Sequence, residues 1–241
     1  MKKRNIYHPL FVFSITLLLM MFIPFGFAKS PVKTTKMMVK KTSSENYSLY
    51  TEFNLCDYGL SFKAFNYALN GFYELQSEGF FQNNRILTII DFSKPATEKR
   101  LFVLDLISGK ILFNTLVAHG QQSGALFAKY FSNIPSSLKS SIGFFETAQT
   151  YIGKHGYSLK LNGLEQGIND QVNRRAIVIH GADYVSESYI KRNGLIGRSW
   201  GCPAVPSSLS KPIIDEIKDG SCLFIYAEDL DYWKKSRLKL S

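Results

Sequence analysis

The stretch AIVIHGADYVSESYIKRNGLIGRSWGCPAV, residues 176–205, contains a histidine and a cysteine in settings that suit covalent chemistry. An apolar run ends at His180 and Gly181, and Cys202 follows Gly201 among serine, glycine and proline. A cysteine nucleophile needs a base within hydrogen-bond reach, donors for the developing oxyanion and room for the substrate. We therefore weigh Cys202 as a nucleophile and His180 as its base against packing roles for both.

The neighbours of Cys202 are candidates for the remaining functions of such a site. Gly201 tolerates a positive φ, so its amide and that of Cys202 could face a substrate carbonyl. Ser199 is expected to support this loop through hydrogen bonds. Arg198 is a candidate to stabilise a thiolate or to bind a substrate carboxylate.

Two further histidines follow turn or strand signals. His119, in the segment HGQQSG, comes after an apolar run as His180 does. It ranks second as the base because no cysteine lies near it in the sequence, and we interpret it as a candidate substrate-binding residue of the same cleft. His155 lies in a turn signal and is interpreted as structural or substrate-facing.

Cysteine usage adds weight to Cys202. Beyond the N-terminal apolar segment the chain has three cysteines, and an odd count in an exported protein leaves at least one thiol without an internal partner. Cys222 lies in an apolar run typical of a buried strand, and Cys56 lies in an aromatic-rich segment. A bridge between these two stays open.

The N-terminus predicts export. Residues 1–28 combine the cations Lys2, Lys3 and Arg4 with an apolar run and the small residues Gly26 and Ala28, which is typical of a signal peptide cleaved after residue 28. An uncleaved anchor is the alternative, since the apolar run is about long enough to span a bilayer. Both interpretations place the remaining chain in the periplasm or cell envelope.

The charge balance favours anionic partners other than nucleic acid. Removing residues 1–28 takes the formal net charge from +10 to +7, and basic clusters lie at 29–41 and 234–239. We predict a flexible basic leader over 29–44 and a basic tail over 231–241. This suits an anionic polymer or a nearby membrane surface, or is simply a solubilising surface. The rest fits one globular domain, expected to be a monomer.

The elements that must position these residues change in character along the chain. Residues 45–84 predict an N-terminal helical cap, because apolar residues recur at helical spacing from Phe62 to Leu75 between Ser61, a candidate N-cap, and Gly79. From residue 85 short apolar runs predict seven strands, at 86–90, 101–106, 110–118, 142–148, 157–161, 175–180 and 222–227. One late helix is predicted over 207–218. This pattern indicates a mainly β sandwich or barrel.

Several segments carry a resemblance to a known family. His180-Gly181 and the Ser199-Trp200-Gly201-Cys202 run look like the catalytic region of the L,D-transpeptidases of the YkuD type. A closer similarity is to the branch described as murein L,D-transpeptidase catalytic domain proteins, through LTIIDFSKP, KRLFVLDL, LVAHGQQSG, SSIGFFETAQTYIGKHGYSLKLNGLEQGIND and RSWGCPAV. The resemblance identifies 85–230 as an L,D-transpeptidase catalytic domain with a β-sandwich fold.

The resemblance implies a reaction. Cys202 would be the nucleophile and His180 the general base, with the backbone carbonyl of Gly181 orienting the imidazole. The substrate would be a peptidoglycan stem peptide, attacked between diaminopimelate at its third position and a terminal D-alanine. The thioester would pass to an amine of a second stem or to water, and no metal or cofactor is expected.

This chain departs from the commoner family pattern at two positions. Trp200 stands where a histidine often precedes the Gly-Cys pair, and Ala204 stands where an arginine or asparagine often follows. Both replacements concern substrate contacts and acceptor choice, so Trp200 is a candidate substrate-binding residue. An L,D-carboxypeptidase with the same site and a non-catalytic peptidoglycan-binding protein remain the alternatives.

Other classes fit the sequence less well. In papain-like and amidase-type thiol peptidases the cysteine generally precedes the histidine, whereas His180 precedes Cys202 here. The sequence contains no Cys-x-x-Cys, no His-x-x-x-His and no histidine-rich tract, which argues against metal binding and redox chemistry.

Overall fold

The computed structural model describes residues 42–238. The predicted signal peptide over 1–28 and the predicted leader up to residue 41 lie outside the described residues, as does the end of the predicted basic tail, 239–241. The first helix, α1 (Ser43–Glu52), begins within the predicted leader. Thr42 caps it, because the Thr42 hydroxyl accepts from the Glu45 N–H while the Glu45 carboxylate accepts from the Thr42 N–H.

The apolar stripe predicted to form a helix does so. Helix α2 (Phe62–Ser77) begins after Ser61, whose side chain accepts from the Ala64 N–H. It ends just before Gly79, which adopts a φ of +85°. Phe65, Leu69, Phe72 and Leu75 of its stripe are fully buried, and Phe62 is half-buried. The helical cap is thus confirmed, and its buried face holds it on the sheet.

Within residues 42–238, eight strands form the body of the protein, and seven of them coincide with predicted strands. They are β1 (Asn83–Asp91), β2 (Leu101–Asp105), β3 (Lys110–Thr115), β4 (Gly143–Gly153), β5 (Gly156–Gly163), β6 (Val178–Ala182), β7 (Ala204–Pro206) and β8 (Ser221–Tyr226). The unpredicted strand is β7, which has three residues and ends in proline. The prediction of a mainly β fold is confirmed.

The strands form one sheet in the order β3-β2-β1-β8-β4-β5-β6-β7. Most neighbours are antiparallel, but β1 pairs with β8 in parallel and β6 pairs with β7 in parallel. Residues that follow β3, at one end of this order, bridge to the other end, since Ala118 pairs with Ala204. The sheet is therefore nearly closed, and its two ends meet beside Cys202.

Helix α2 packs closely against β4 through a glycine. A Cβ added at Gly71 would lie 2.1 Å from the ring of Phe144, so only glycine allows this approach. Phe144 in turn stacks on Phe224 of β8, with ring centroids 4.2 Å apart. Burying a phenylalanine side chain stabilises the fold by about 1.5–3 kcal/mol, so this column of rings contributes strongly to the core.

In the described part of the chain, three further helices follow β6. Helix α4 (Ser207–Ile217) matches the predicted late helix, whereas α3 (Glu187–Asn193) and α5 (Leu230–Lys235) were not predicted. Helix α5 overlaps the predicted basic tail over 231–241. Buried Glu165 holds this helix in place. The Glu165 carboxylate accepts hydrogen bonds from the Tyr232 and Ser236 hydroxyls and from the Phe144 N–H.

The three cysteines of the described residues are all free. Cys222 is buried in β8 and Cys56 is exposed, so the bridge between them that the sequence left open is not formed. Among residues 42–238, no helix combines the length and the apolar character that crossing a bilayer requires.

Candidate active site

Strand β6 and the loop before β7 bring the predicted nucleophile and base to one place. His180 of β6 pairs in register with Ala204 of β7, two residues beyond Cys202. The Cys202 thiol therefore lies beside Val178 at the start of β6, and the Val178 nitrogen is 3.5 Å from Sγ. The thiol itself points to the carbonyl oxygen of Ala176 at 3.7 Å.

His180 is held in one tautomer by its neighbour. Its Nδ1 lies 2.9 Å from the carbonyl oxygen of Gly181. Because a carbonyl oxygen only accepts, Nδ1 carries the proton and Nε2 keeps the free lone pair. Gly181 also permits close packing on α4, since a Cβ there would lie 2.7 Å from the Ser210 hydroxyl.

One cavity of about 370 Å³ contains both side chains on its wall. Its rim is cationic and aromatic, and none of the described residues that line it is acidic. The cationic residues are Lys154, Arg175 and Arg198, and the aromatic ones are Tyr151, Tyr184 and Trp200. The cavity is suited to a peptide that carries carboxylates.

Burial shifts the two titratable groups in opposite directions. Burial lowers the pKa of His180, the nearby His155 lowers it further, and the hydrogen bond to Gly181 opposes both effects. Burial raises the pKa of the Cys202 thiol, although the Val178 N–H and the Arg175 charge act against this rise. At neutral pH the resting pair therefore favours a neutral thiol beside a neutral imidazole.

Arg175 is a site residue that the sequence did not reveal. Its guanidinium donates to the carbonyl oxygens of Ser132 and Lys139 and to the hydroxyls of Ser137 and Ser141. Its charge also lowers the pKa of Cys202, an effect that the sequence led us to expect from Arg198. Its position depends on a turn before β6, which leaves no local motif.

Ser199 and Gly201 shape the loop that carries Cys202. The Ser199 hydroxyl donates to the Cys202 carbonyl oxygen at 2.6 Å and accepts from the Gly201 N–H at 3.0 Å. Gly201 adopts a φ of +125°, and a Cβ there would lie 2.7 Å from the carbonyl oxygen of Lys139. The Gly201 amide is thus already bonded to Ser199, and it would have to leave that bond to hold an oxyanion.

His119 does not contact the cavity, which corrects the expectation that it binds substrate. It is fully buried, and its Nδ1 accepts from the Arg100 guanidinium at 2.8 Å while Nε2 faces the Gly124 carbonyl oxygen at 3.2 Å. Burial and the Arg100 charge lower the pKa of His119 to about 4. The residue is a neutral structural histidine, and its backbone carbonyl accepts from the Ser199 N–H.

Arg198 and Trp200 lie at the mouth of the cavity. The Arg198 guanidinium donates to the Gly124 carbonyl oxygen at 3.1 Å. This hydrogen bond holds the Arg198 side chain at the rim of the cavity. Trp200 is 71% exposed, an unusual fraction for so large an aromatic side chain. Lys154 lies over its indole ring at 5.7 Å. Both candidate substrate-binding residues therefore remain accessible to a bound molecule.

The β4–β5 hairpin supplies a second histidine beside His180. Its tip is the two-residue turn of Lys154 and His155 between the paired Gly153 and Gly156. The His155 and His180 rings stack, with centroids 4.3 Å apart and planes 20° from parallel. Sequence spacing does not reveal this contact, because it depends on β5 pairing with β6.

One family model matches most of the chain. The family described as L,D-transpeptidase catalytic domain matches residues 57–226. No curated protein matches the chain.

Solved structures that match the chain include an L,D-transpeptidase from Mycobacterium smegmatis, with 12% identity, a TM-score of 0.38 and 59% of each chain covered. The helical cell shape determining protein Pgp2 from Campylobacter jejuni has 13% identity and a TM-score of 0.39, with 65% of this chain and 55% of that chain covered. The chain thus matches under two thirds of the length of either structure. The family match itself extends over well more than half of the chain, and the protein belongs to the L,D-transpeptidase catalytic domain family.

Proposed function

We propose that this protein is an exported cysteine acyltransferase that performs L,D-transpeptidation on peptidoglycan stem peptides. The observation that carries the proposal is the pair of Cys202 and His180 on the wall of one cavity. The contact of His180 Nδ1 with the Gly181 carbonyl oxygen leaves Nε2 as the nitrogen able to take a proton. Family membership supports this reaction class, and residues 1–28 support export.

The first half-reaction forms a thioester. His180 Nε2 takes the thiol proton, and Cys202 Sγ attacks the carbonyl carbon between the third stem residue and the terminal D-alanine. The Cys202 N–H makes no hydrogen bond within residues 42–238 and is available to the oxyanion. When the tetrahedral intermediate collapses, the C–N bond breaks and D-alanine leaves with the proton from His180.

The second half-reaction regenerates the thiol. His180 removes a proton from the amine of a second stem, and the amine nitrogen attacks the thioester carbon. The C–S bond breaks, the proton returns to the sulfur, and the product is a cross-linked dimer. Water in place of the amine gives a trimmed stem, which is the carboxypeptidase alternative, and an amine of an outer-membrane protein is a third acceptor of the same chemistry.

The cationic rim supports an anionic peptide substrate. Stem peptides carry carboxylates, which Arg198 and Lys154 could bind without an opposing acidic group on the cavity wall. Trp200 offers an exposed ring face beside them, which takes the place of the commoner histidine.

The test uses defined muropeptides with the purified protein and follows products by mass spectrometry. We expect wild type to release D-alanine and form dimers, and Cys202→Ala to lose at least about 1,000-fold in rate, because the covalent route is lost. Cys56→Ser is the matched control, since that thiol is exposed and does not line the cavity.

The products separate the alternatives. D-alanine release without dimers would favour carboxypeptidation. Wild type that neither acylates Cys202 nor releases D-alanine, but retains muropeptides, would establish the binding protein and reject the enzyme.

A further inference from the structure

The imidazole of His155 lies flat on that of His180, and the geometry limits what it can do. Ring nitrogens of histidine direct their protons and lone pairs in the plane of the ring. Because the two planes are only 20° from parallel, neither ring can hydrogen-bond the other across the 4.3 Å stack. His155 is therefore not part of a proton relay with His180.

The base is constrained in two independent ways. The contact of Nδ1 with the Gly181 carbonyl oxygen, at 2.9 Å, fixes which edge of the ring faces the cavity. The stack with His155 fixes the plane of the ring and covers one of its faces. His180 is only 2% exposed, although the hairpin tip that covers it is itself exposed. The hairpin tip is thus part of what excludes water from the base.

The same turn also contacts the loop that carries the nucleophile. Lys154 lies over the Trp200 ring while its neighbour His155 lies on His180. Two consecutive residues of one turn therefore touch both sides of the cavity, the strand with the base and the loop with the thiol.

We propose that His155 is a positioning residue for His180, which holds the plane of the base and shields one face of it from water. This rests on the proposed function in that His180 is taken as the base. A second consequence is electrostatic, because a positive charge on His155 opposes protonation of His180. The other titratable groups that share the cavity with His180 are Tyr151, Lys154, Arg175, Tyr184, Arg198 and Cys202.

The decisive measurement is the titration of His180 by NMR, which requires no substrate. In His155→Ala the His180 ring regains access to water and loses a neighbour that opposes its protonation, so we expect the His180 midpoint to rise by about 0.5–1 pH unit. In His155→Phe the cover remains and only the electrostatic effect of the imidazole is lost, so a smaller rise is expected. Ile152→Ala is the matched control, since Ile152 is 78% exposed on the same hairpin and does not line the cavity.

Kinetics with a muropeptide provide the second measurement. We expect His155→Ala to lower kcat roughly tenfold with little change in KM, because a mobile base spends less time aligned with the thiol. His155→Phe keeps the stack and should retain most of kcat, and Ile152→Ala should match wild type.

The outcomes are separable from those of the proposed function. If no variant, including wild type, turns over muropeptide, the proposed function fails while the NMR midpoints still decide the role of His155. A His180 midpoint in His155→Ala that equals that of wild type overturns the proposal whatever the activity shows.

Discussion

Cys202 and His180 have shifted pKa values that suit a base acting on a neutral thiol, instead of a preformed ion pair. Burial disfavours the charged form of each, so raising the thiol pKa and lowering the imidazole pKa have one cause. The Val178 N–H and the charge of Arg175 both limit the rise of the thiol pKa. The reactivity of the cysteine should therefore depend on an arginine from another segment of the chain.

Replacing Arg175 tests this dependence. Loss of its charge removes a stabiliser of the thiolate, so in Arg175→Met we expect the midpoint of Cys202 alkylation to move about one pH unit higher. Arg175→Lys keeps a charge and should move it less. The measurement is the rate of iodoacetamide labelling against pH in a Cys56→Ser background, with labelled peptides identified by mass spectrometry.

Arg198→Met is the matched control for this experiment. Arg198 lines the same cavity but does not affect the Cys202 pKa, so its loss should leave the midpoint in place. If Arg198→Met shifts the midpoint and Arg175→Met does not, the assignment of the thiolate partner is wrong.

Site residues could be predicted from the sequence where their immediate neighbours in the chain indicate their role. His180 ends an apolar run and Cys202 lies among glycine, serine and proline, and both reach the same cavity. Arg175 and His155 could not be predicted, because their contacts come from a turn and a hairpin that fold back on the site. The prediction that His119 binds substrate was wrong, because the residue is buried with Arg100. The two residues are 19 positions apart in the sequence, so their contact leaves no local pattern.

At the scale of elements, Gly71 lies where α2 contacts β4. Replacing it with alanine would improve helix propensity but would introduce a steric clash. Glycine within a helix usually costs about 1 kcal/mol relative to alanine, so a Gly→Ala change in a helix normally stabilises. At Gly71 the new Cβ would meet the Phe144 ring at 2.1 Å. The steric term should win, because that ring is stacked on Phe224 and has little room to move.

We therefore expect Gly71→Ala to lower the free energy of unfolding by about 1–3 kcal/mol, the range typical of overpacked cores. Urea denaturation followed by far-UV circular dichroism measures this change. Ser77→Ala, at the exposed end of the same helix, should stay within about 0.5 kcal/mol of wild type. If Gly71→Ala is as stable as wild type or more stable, the Phe144 ring moves aside to accommodate the new Cβ.

Elements with clear periodicity were predictable and those without it were not. Helix α2 has an apolar stripe and both end signals, and seven strands have apolar runs of ordinary length. Strand β7 has three residues, and α3 buries none of its side chains, so neither leaves a pattern in the sequence. The short strand depends on its register with β6, a contact between distant parts of the chain.

At the scale of the whole molecule, Glu165 connects the last helix to the sheet. Its carboxylate accepts from Phe144 in β4 and from Tyr232 and Ser236 at the other end. Glu165→Ala would leave three donors without an acceptor in a buried place. We expect a loss of about 3 kcal/mol in the free energy of unfolding, measured by urea denaturation.

The free energy of unfolding should also depend on pH through Glu165. Burial raises the pKa of Glu165 above its usual range, so the folded state binds its proton more tightly than the unfolded state. Wild-type stability should therefore fall as the pH rises from the usual carboxyl pKa through the raised one, and Glu165→Gln should remove this part of the fall. Glu228→Ala, at an exposed ion pair, should change stability by under about 1 kcal/mol. A Glu165→Ala protein as stable as wild type would mean that the hydrogen bonds of Glu165 contribute nothing to the free energy of unfolding.

The position of β8 has a consequence for the order of events during synthesis. This strand lies between β1 and β4 in the sheet, yet it is the last of the eight to be made. Until it emerges, β1 and β4 have no partner on one side, and neither half can bury its inner edge. A nascent chain that lacks residues 221–226 therefore cannot complete its fold, so the sheet can close only after nearly all of residues 42–238 have been synthesised.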